Sequence, residues 1–493
     1  MNELNIILNF LPALFVLLLG IIALIVVITF FYDLLQNKNT ILKNYPVVGH
    51  FRYLFITLGE FFRQYFFAMD REEMPFNRAE RTWVNHAAAD KDNTVAFGST
   101  KNIALAGSYI FVNCPFPTLD SEAASSKPAP IGEYYCEKAY YPKSIFNISG
   151  MSYGALSKPA ISALAQGAKL ANCWINTGEG GLSPYHKKSG ADIVFQIGTG
   201  KYGVRTKKGK LDEHKLKQIA QLEQVKMFEV KVSQGAKPGK GGILPGLKVT
   251  DEIAEIRGIE PGVDSLSPNR LIEVKNAQQL LDFIAKVKEI TNKPVGFKTV
   301  IGHTRWLDWI LDEVNLRGMQ YAPDFITVDG GDGGTGAAPM PLMDNVGLPL
   351  GEALPMVVDD LITHGLKQRI KVIASGKLIT PIQVAWAFCA GADYVVSARG
   401  FMISIGCVQS LKCNKNTCPT GITTHNKRLQ RGLNPQVKAE KVANYVKNII
   451  SSVETIAHSC GVDCPTNFNR SHVRIVGNNT RSFPMDEIYP YPR

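Results

Sequence analysis

From about residue 140 the sequence repeats one pattern eight times: a short β-rich run ending in glycine or a polar residue, then a stretch with helical spacing. The runs are SIFNISGM (144–151), CWINTGEGG (173–181), DIVFQIGTG (192–200), KMFEVKVSQG (226–235), KPVGFKTVIG (293–302), DFITVDGGDGG (324–334), KVIASGK (371–377) and YVVSARG (394–400). Between them, Ser157 and Pro159 open a helix with Ile161, Leu164, Ala165 and Ala168 on one face. Asn276 starts another carrying Leu280, Phe283, Ile284 and Val287, and Thr380 caps a third with Pro381 at its first position. Eight strands alternating with helices leave two architectures, a (β/α)8 barrel or a large doubly wound sheet. The count favours the barrel. So does the glycine or polar residue at each run's C-terminal end, where barrel enzymes build their active sites. A dinucleotide-binding sheet would carry G-x-G-x-x-G after its first strand, and the first run here ends GMSYG instead. The expected fold is α/β: a (β/α)8 TIM barrel over 141–431, with an N-terminal transmembrane helix and short N- and C-terminal extensions.

The first forty residues supply that helix. Ile6 to Tyr32 is a run of 27 residues without a charge, in which Asn9 and Thr29 are the only clearly polar members. About 20 apolar residues span a bilayer, so 1–36 is read as a single-pass anchor. Glu3 is the only charge ahead of the run and no A-x-A follows it, which argues against a cleaved signal peptide. Lys38, Lys43 and Arg52 come after it, so the catalytic part is expected in the cytoplasm. Residues 37–140 form a juxtamembrane extension, within which YLFITLGEFFRQYFF (53–67) is amphipathic and is read as lying against the membrane or the barrel. Residues 432–493 are a C-terminal helix and tail. The formal charge of +11 contains no block of five or six like charges, so no nucleic-acid partner is expected. Nine cysteines in 493 residues are too few for a disulfide scaffold.

Barrels commonly hold phosphate between the loops after strands 7 and 8. Here those strands end Ala374-Ser375-Gly376 and Ser397-Ala398-Arg399-Gly400. Strand 6 ends Asp329-Gly330-Gly331-Asp332-Gly333-Gly334-Thr335-Gly336, five glycines in eight residues, which lets backbone approach a flat ligand. Lys298 lies mid-strand at an inward position. A buried lysine needs an anionic partner, either a structural carboxylate or the edge of a reduced flavin. Three cysteines follow the last strand at the spacing Cys407-x5-Cys413-x4-Cys418, which suits an iron–sulfur cluster or a metal. Cys460 and Cys464 could in principle supply a fourth ligand; Cys114, Cys136, Cys173 and Cys389 are read as ordinary buried thiols.

From Ser149 to about Arg431 the sequence resembles the FMN-binding synthase domain of glutamate synthases, including short membrane-anchored relatives that lack the glutaminase domain. SGMSYGALS, NTGEGG, QIGTGKYGV, KVSQGAKPGKGGILPG, GGDGGTGAAPM and the cysteine run carry the likeness, in the family's order. The resemblance implies FMN held by Ser152, Gln196, Lys298, Asp329, Gly330, Gly331, Gly333, Gly334, Ser375, Gly376, Ala398, Arg399 and Gly400. It also implies a 3Fe–4S cluster on Cys407, Cys413 and Cys418. For the substrate it implies a 2-oxoglutarate site of Glu179, Lys231, Gln234, Lys237 and Arg257, with Glu179, Lys231 and Lys298 as catalytic residues. A dianion needs cationic anchors, and a guanidinium offers a bidentate one. Glu179 would then either order the lysines or hold a proton for the substrate imine.

Two departures stand out: Ile243 replaces a glutamine that touches substrate in the family, and Leu247 replaces a nearby polar residue. The chain is also expected to lack the glutaminase and the C-terminal β-helix domain of full glutamate synthases. A separate ammonia-supplying subunit and an electron donor, ferredoxin or a reductase subunit, are therefore expected partners. The leading activity is reduction of a 2-oxo acid imine (2-oxoglutarate plus ammonia) to an amino acid (L-glutamate). Alternatives are another amine-forming or amine-oxidising reaction, such as N-methylglutamate synthesis with partner subunits, or a membrane-tethered electron-transfer module.

Overall fold

The computed structural model describes residues 2–124 and 126–492. They divide into two compact units, Met1–Ala79 and Glu80–Arg493. In the first, helix Asn2–Leu35 is followed by a short helix Thr40–Asn44 and by helix Gly49–Phe62, which runs on as one wide turn, Arg63–Phe67. The stretch Phe10–Leu35, 26 residues with a mean hydropathy of 3.3, is long and apolar enough to cross a membrane.

The second unit is built on a closed barrel of eight strands: β1 (Phe146–Ile148), β2 (Ile175–Asn176), β3 (Ile193–Ile197), β4 (Val225–Lys231), β5 (Val295–Thr299), β6 (Phe325–Asp329), β7 (Lys371–Ser375) and β8 (Tyr394–Ser397). Every neighbouring pair is parallel, and β8 closes on β1 through Val395 opposite Phe146. These are the eight runs of the sequence, in order. β2 is shorter than its run because the chain turns at Gly178 into a single 3-10 turn, Gly178–Gly180. The helices after the strands are α1 (Lys158–Leu170), α2 (Pro184–Lys187), α3 (Glu213–Ala220), α4 (Ala277–Thr291), α5 (Arg305–Arg317), α6 (Leu350–Thr363), α7 (Pro381–Cys389) and α8 (Pro435–Ser459). Their expected caps are in place: Ser157 accepts from the Ala160 N–H and Asn276 from that of Gln279, while Thr380 and Gln383 form a capping box.

The N-terminal mouth of the barrel is plugged by Ile131 and Tyr140, which bridge each other and pack on Trp174, Met227, Phe325, Ile373 and Tyr394. That leaves the opposite mouth open for a site. α8 lies across α1, where Gly167 makes the approach possible. A Cβ there would fall 2.4 Å from Val442 Cβ and 2.8 Å from the Ala439 carbonyl. Gly167→Ala is therefore expected to destabilise the barrel by about 1–3 kcal/mol through overpacking, measured by chemical denaturation. The extension and the tail meet in a small antiparallel sheet in which Tyr109–Phe111 pairs with Val473–Val476, itself paired with Ser482–Pro484.

Candidate active site

Inside the barrel, Met227, Glu229 and Lys231 alternate inward along β4. Glu229, buried at 3% exposure, accepts hydrogen bonds from Asn176 Nδ2 (2.9 Å), Gln196 Nε2 (2.5 Å) and Thr327 Oγ1 (2.7 Å). A carboxylate at that depth requires such partners. It ties four strands together beneath the mouth. One layer higher, Lys298 Nζ lies 3.2 Å from Asp329 Oδ2. Asp329 also accepts from the Gly235 N–H and from Ser375 Oγ, 2.9 and 2.8 Å away. Burial works against the charge on Lys298, but Asp329 and Glu229 outweigh it and hold its pKa above that of an ordinary lysine. Of the two partners considered for Lys298, a structural carboxylate is present, in the form of Asp329.

Above this pair opens a cleft, partly open to solvent. Gln196, Lys298, Asp329, Gly334, Ser375, Gly376, Ala398 and Arg399 line it, as do Ser149, Gly150, Lys377 and Ser397, which sequence reasoning missed. Glycines shape its walls. A Cβ on Gly150 would come within 2.9 Å of Gln196 Nε2, and one on Gly334 within 2.7 Å of Arg399 Nε. Gly376 has φ +137°, a conformation that favours glycine. The remaining expected cofactor residues shape the walls indirectly. Gly330, Gly331 and Gly333 pack on Leu350, Gly347 and Gly235, and Gly400 on Tyr445 Oη of α8. Ser152 is engaged elsewhere: its hydroxyl accepts from Arg257 Nη2 at 3.4 Å.

Lys231 and Gln234 form one wall of the cleft and also belong to a cationic cluster around Glu179. Lys231 Nζ contacts Glu179 Oε1 at 2.9 Å and donates to Gln234 Oε1 at 2.7 Å. Glu179 fits a slot between Gly198 and Gly242, where a Cβ would come within 2.6 and 2.3 Å of it. Burial opposes the Glu179 charge, yet Lys231 and Lys237 outweigh it and keep the carboxyl below the ordinary glutamate range. Burial lowers Lys237 to about 8, opposed by Glu179 and assisted by Lys231.

Arg257, 3% exposed, donates to Ser265 Oγ (3.3 Å), Ser152 Oγ (3.4 Å) and the Tyr153 carbonyl (3.3 Å). It also stacks on the Tyr202 ring at 5.1 Å. Tyr202 was not anticipated, although it sits in the QIGTGKYGV motif. Its hydroxyl accepts from Ser265 Oγ at 2.9 Å, so ring and hydroxyl both orient the guanidinium. Two polar atoms here, Glu179 Oε2 and Arg257 Nε, are buried without a hydrogen-bond partner among the described residues. Native structures rarely leave such atoms unmatched, so both fit an absent polar ligand. Arg257 lies on helix Asp251–Arg257 within the insertion after β4. That insertion is fastened by Lys248, whose buried ammonium donates to the carbonyls of Ala155 (2.5 Å) and Cys413 (3.2 Å).

Cys407, Cys413 and Cys418 share the loop after β8 and the short helix Arg399–Ser404. Burial pushes the Cys407 thiol up to about 12, and the neighbouring Cys413 and Cys418 add to this against the Gln409 N–H. The donors are right in kind for an iron–sulfur cluster and lie close enough to influence one another. However, among the described residues no three Cys, His, Asp or Glu side chains are gathered into a metal-holding set. Cys460, at the far end of the 25-residue α8, has Cys114 and Cys389 as its sulfur neighbours.

Comparison with known proteins agrees with the motifs. The family model described as the conserved region in glutamate synthase matches residues 116–463. The glutamate synthase large subunit-like protein YerD of Bacillus subtilis is 40% identical over 502 aligned residues, 94% of this chain and 95% of its own. This chain belongs to the glutamate synthase family. It is a glutamate synthase-like oxidoreductase built on an α/β barrel. The archaeal-type glutamate synthase [NADPH] of Thermotoga maritima is 32% identical over 346 residues, 69% of this chain and 64% of that relative. Among solved structures, the flavin-binding domain of baker's yeast flavocytochrome b2 has a TM-score of 0.46 at 13% identity, covering 84% of this chain and 85% of that one.

Proposed function

We propose that this glutamate synthase-like protein binds FMN in the barrel cleft and a 3Fe–4S cluster on Cys407, Cys413 and Cys418, and reduces the imine of a 2-oxo acid to an amino acid, 2-oxoglutarate and ammonia giving L-glutamate. The observation that carries the reading is the convergence of Lys231, Lys237 and Arg257 around Glu179, with unmatched buried atoms, joined through Lys231 to the wall of a glycine-lined cleft. An electron relay without a substrate would have no use for such a pocket.

The fit to a flavin rests on the cleft's glycine walls, the buried Lys298 ammonium and the Arg399 guanidinium beside the β7 and β8 loops. FMN, if held by Lys298, Arg399 and the glycine walls, would supply two-electron chemistry, and a cluster held by Cys407, Cys413 and Cys418 would supply single electrons from a ferredoxin or a reductase subunit. The chain's own residues do the rest. Lys231 has three N–H donors; Glu179 and Gln234 occupy two, leaving one for a substrate carboxylate. Arg257, held by Ser265, Ser152 and Tyr202, presents a pre-oriented cation to the other carboxylate. Lys237 adds positive charge without an ion-pair partner of its own among the described residues. Ammonia would come from a separate subunit, and Phe10–Leu35 would anchor the chain in a membrane with the barrel on the cytoplasmic side. Ile243, half-buried in a two-stranded pair with Leu266, gives the rim an apolar character. It favours, as second reading, a related amine-forming or amine-oxidising reaction on another 2-oxo acid.

The test is anaerobic reduction of the purified protein, then addition of 2-oxoglutarate and ammonia. Flavin reoxidation with formation of L-glutamate is expected; reoxidation only with a different 2-oxo acid would move the assignment to that substrate. The cluster has its own test. Purified protein is expected to hold about three irons, the content of a 3Fe–4S cluster, and Cys413→Ser to lose the iron while keeping its flavin. Zinc, or four irons dependent on Cys460, would overturn the cluster.

A further inference from the structure

The unit Met1–Ala79 carries a second apolar element beyond the span. Along helix Gly49–Phe62 and its continuation Arg63–Phe67, Phe51, Phe55, Leu58, Phe62 and Phe66 recur at three- or four-residue spacing and form one stripe. The Phe51 and Phe55 rings lie 6.4 Å apart, those of Phe62 and Phe66 5.5 Å. All five side chains are exposed, from 38% at Leu58 to 72% at Phe66. An aromatic face of this extent is not stable against water and marks a binding surface. Arg52, Glu60 and Arg63 lie outside the stripe. Charges at three points along it exclude a second crossing and suit a helix lying in the plane of the headgroups.

The span holds this helix at the right level. Asp33 is the only charged side chain of Phe10–Leu35 and is buried at its end. It accepts from the Val47 N–H at 2.9 Å and pairs with His50 Nε2 at 2.9 Å. Nearby, Gln36 Nε2 donates to the Asn39 carbonyl (2.8 Å) and Asn39 Nδ2 to Tyr53 Oη (2.7 Å). This polar knot starts the second helix where the apolar span stops. Lys38, Lys43, Arg52 and Arg63 are exposed, and Glu60 is the only acidic residue between 34 and 69, so the charge matches anionic lipid.

We propose that Gly49–Phe67 is an interfacial helix, lying in the headgroup layer of an anionic bilayer with the Phe51–Phe66 stripe in the acyl chains. The inference rests on reading Phe10–Leu35 as a membrane span, and the test separates the two. Full-length protein is reconstituted in phosphatidylglycerol–phosphatidylcholine vesicles, labelled with a lipid-soluble carbene photoprobe and mapped by peptide mass spectrometry. Label is expected on 10–35 and also on Phe51, Phe55, Phe62 and Phe66. It should fall several-fold on the stripe in pure phosphatidylcholine, and in a Phe55→Glu/Phe62→Glu variant whose span labels normally. Label on 10–35 with a bare stripe would overturn the interfacial helix and show that protein covers it. Equal stripe labelling in both lipids would overturn the anionic preference. Absence of label on 10–35 would overturn the span reading and the inference with it.

Discussion

Replacing Asp324 by alanine is expected to destabilise the barrel by about 3–5 kcal/mol, the cost of leaving buried charges without their partner. Asp324 stands just before β6 at the closed end of the barrel and has no exposed surface. Its carboxylate is 2.9 Å from Lys288 Nζ of α4 and 2.9 Å from Arg369 Nη2 ahead of β7, and it accepts from the Val295 N–H of β5 at 2.8 Å. Cys136 in the extension donates to it through Sγ at 3.4 Å, and burial, reinforced by Asp324, pushes that thiol up to about 12. One side chain thus joins two strands, a helix and the extension. The check is urea denaturation: a lower midpoint at unchanged m-value is expected. A change below about 1 kcal/mol, the scale of an exposed pair, would refute the hub.

Arg257→Ala is expected to weaken binding of a 2-oxo dicarboxylate about ten- to a hundred-fold. A charge-assisted contact contributes roughly 1.5–3 kcal/mol, and each 1.4 kcal/mol is a factor of ten. Flavin content should not change, because Arg257 does not line the cleft. The readout is titration of the flavin spectrum with 2-oxoglutarate. In the unaltered protein the same affinity should fall as pH rises through about 8, because Lys237 loses its charge there and a dianion loses one of its cations. Ile243→Gln should tighten 2-oxoglutarate if that is the natural ligand. No spectral response in the parent and a clear one in Ile243→Gln would instead mean that the pocket has been retuned for another 2-oxo acid.

The barrel is legible in the sequence because its determinants are local. Strand runs, helix caps at Ser157, Asn276 and Thr380, and glycines at strand ends each act within a few residues of themselves, and parallel strands joined by helices have few ways to close. The cationic cluster is also foreshadowed, since Lys231, Gln234 and Lys237 sit within seven residues at the end of β4 and the family motifs name Glu179 and Arg257. What lies beyond reach are contacts set by packing between distant segments. The inward period of β4 places a charge at 229, but only the closed barrel shows that it holds Asn176, Gln196 and Thr327. Nothing local says that Tyr202 supports Arg257, that Lys248 fastens the insertion to the cysteine loop, or that Tyr109–Phe111 pairs with Val473–Val476. A hydrogen bond has no sequence signature when its partner is a hundred residues away, and a buried charge reveals its stabiliser only once the chain has closed around it.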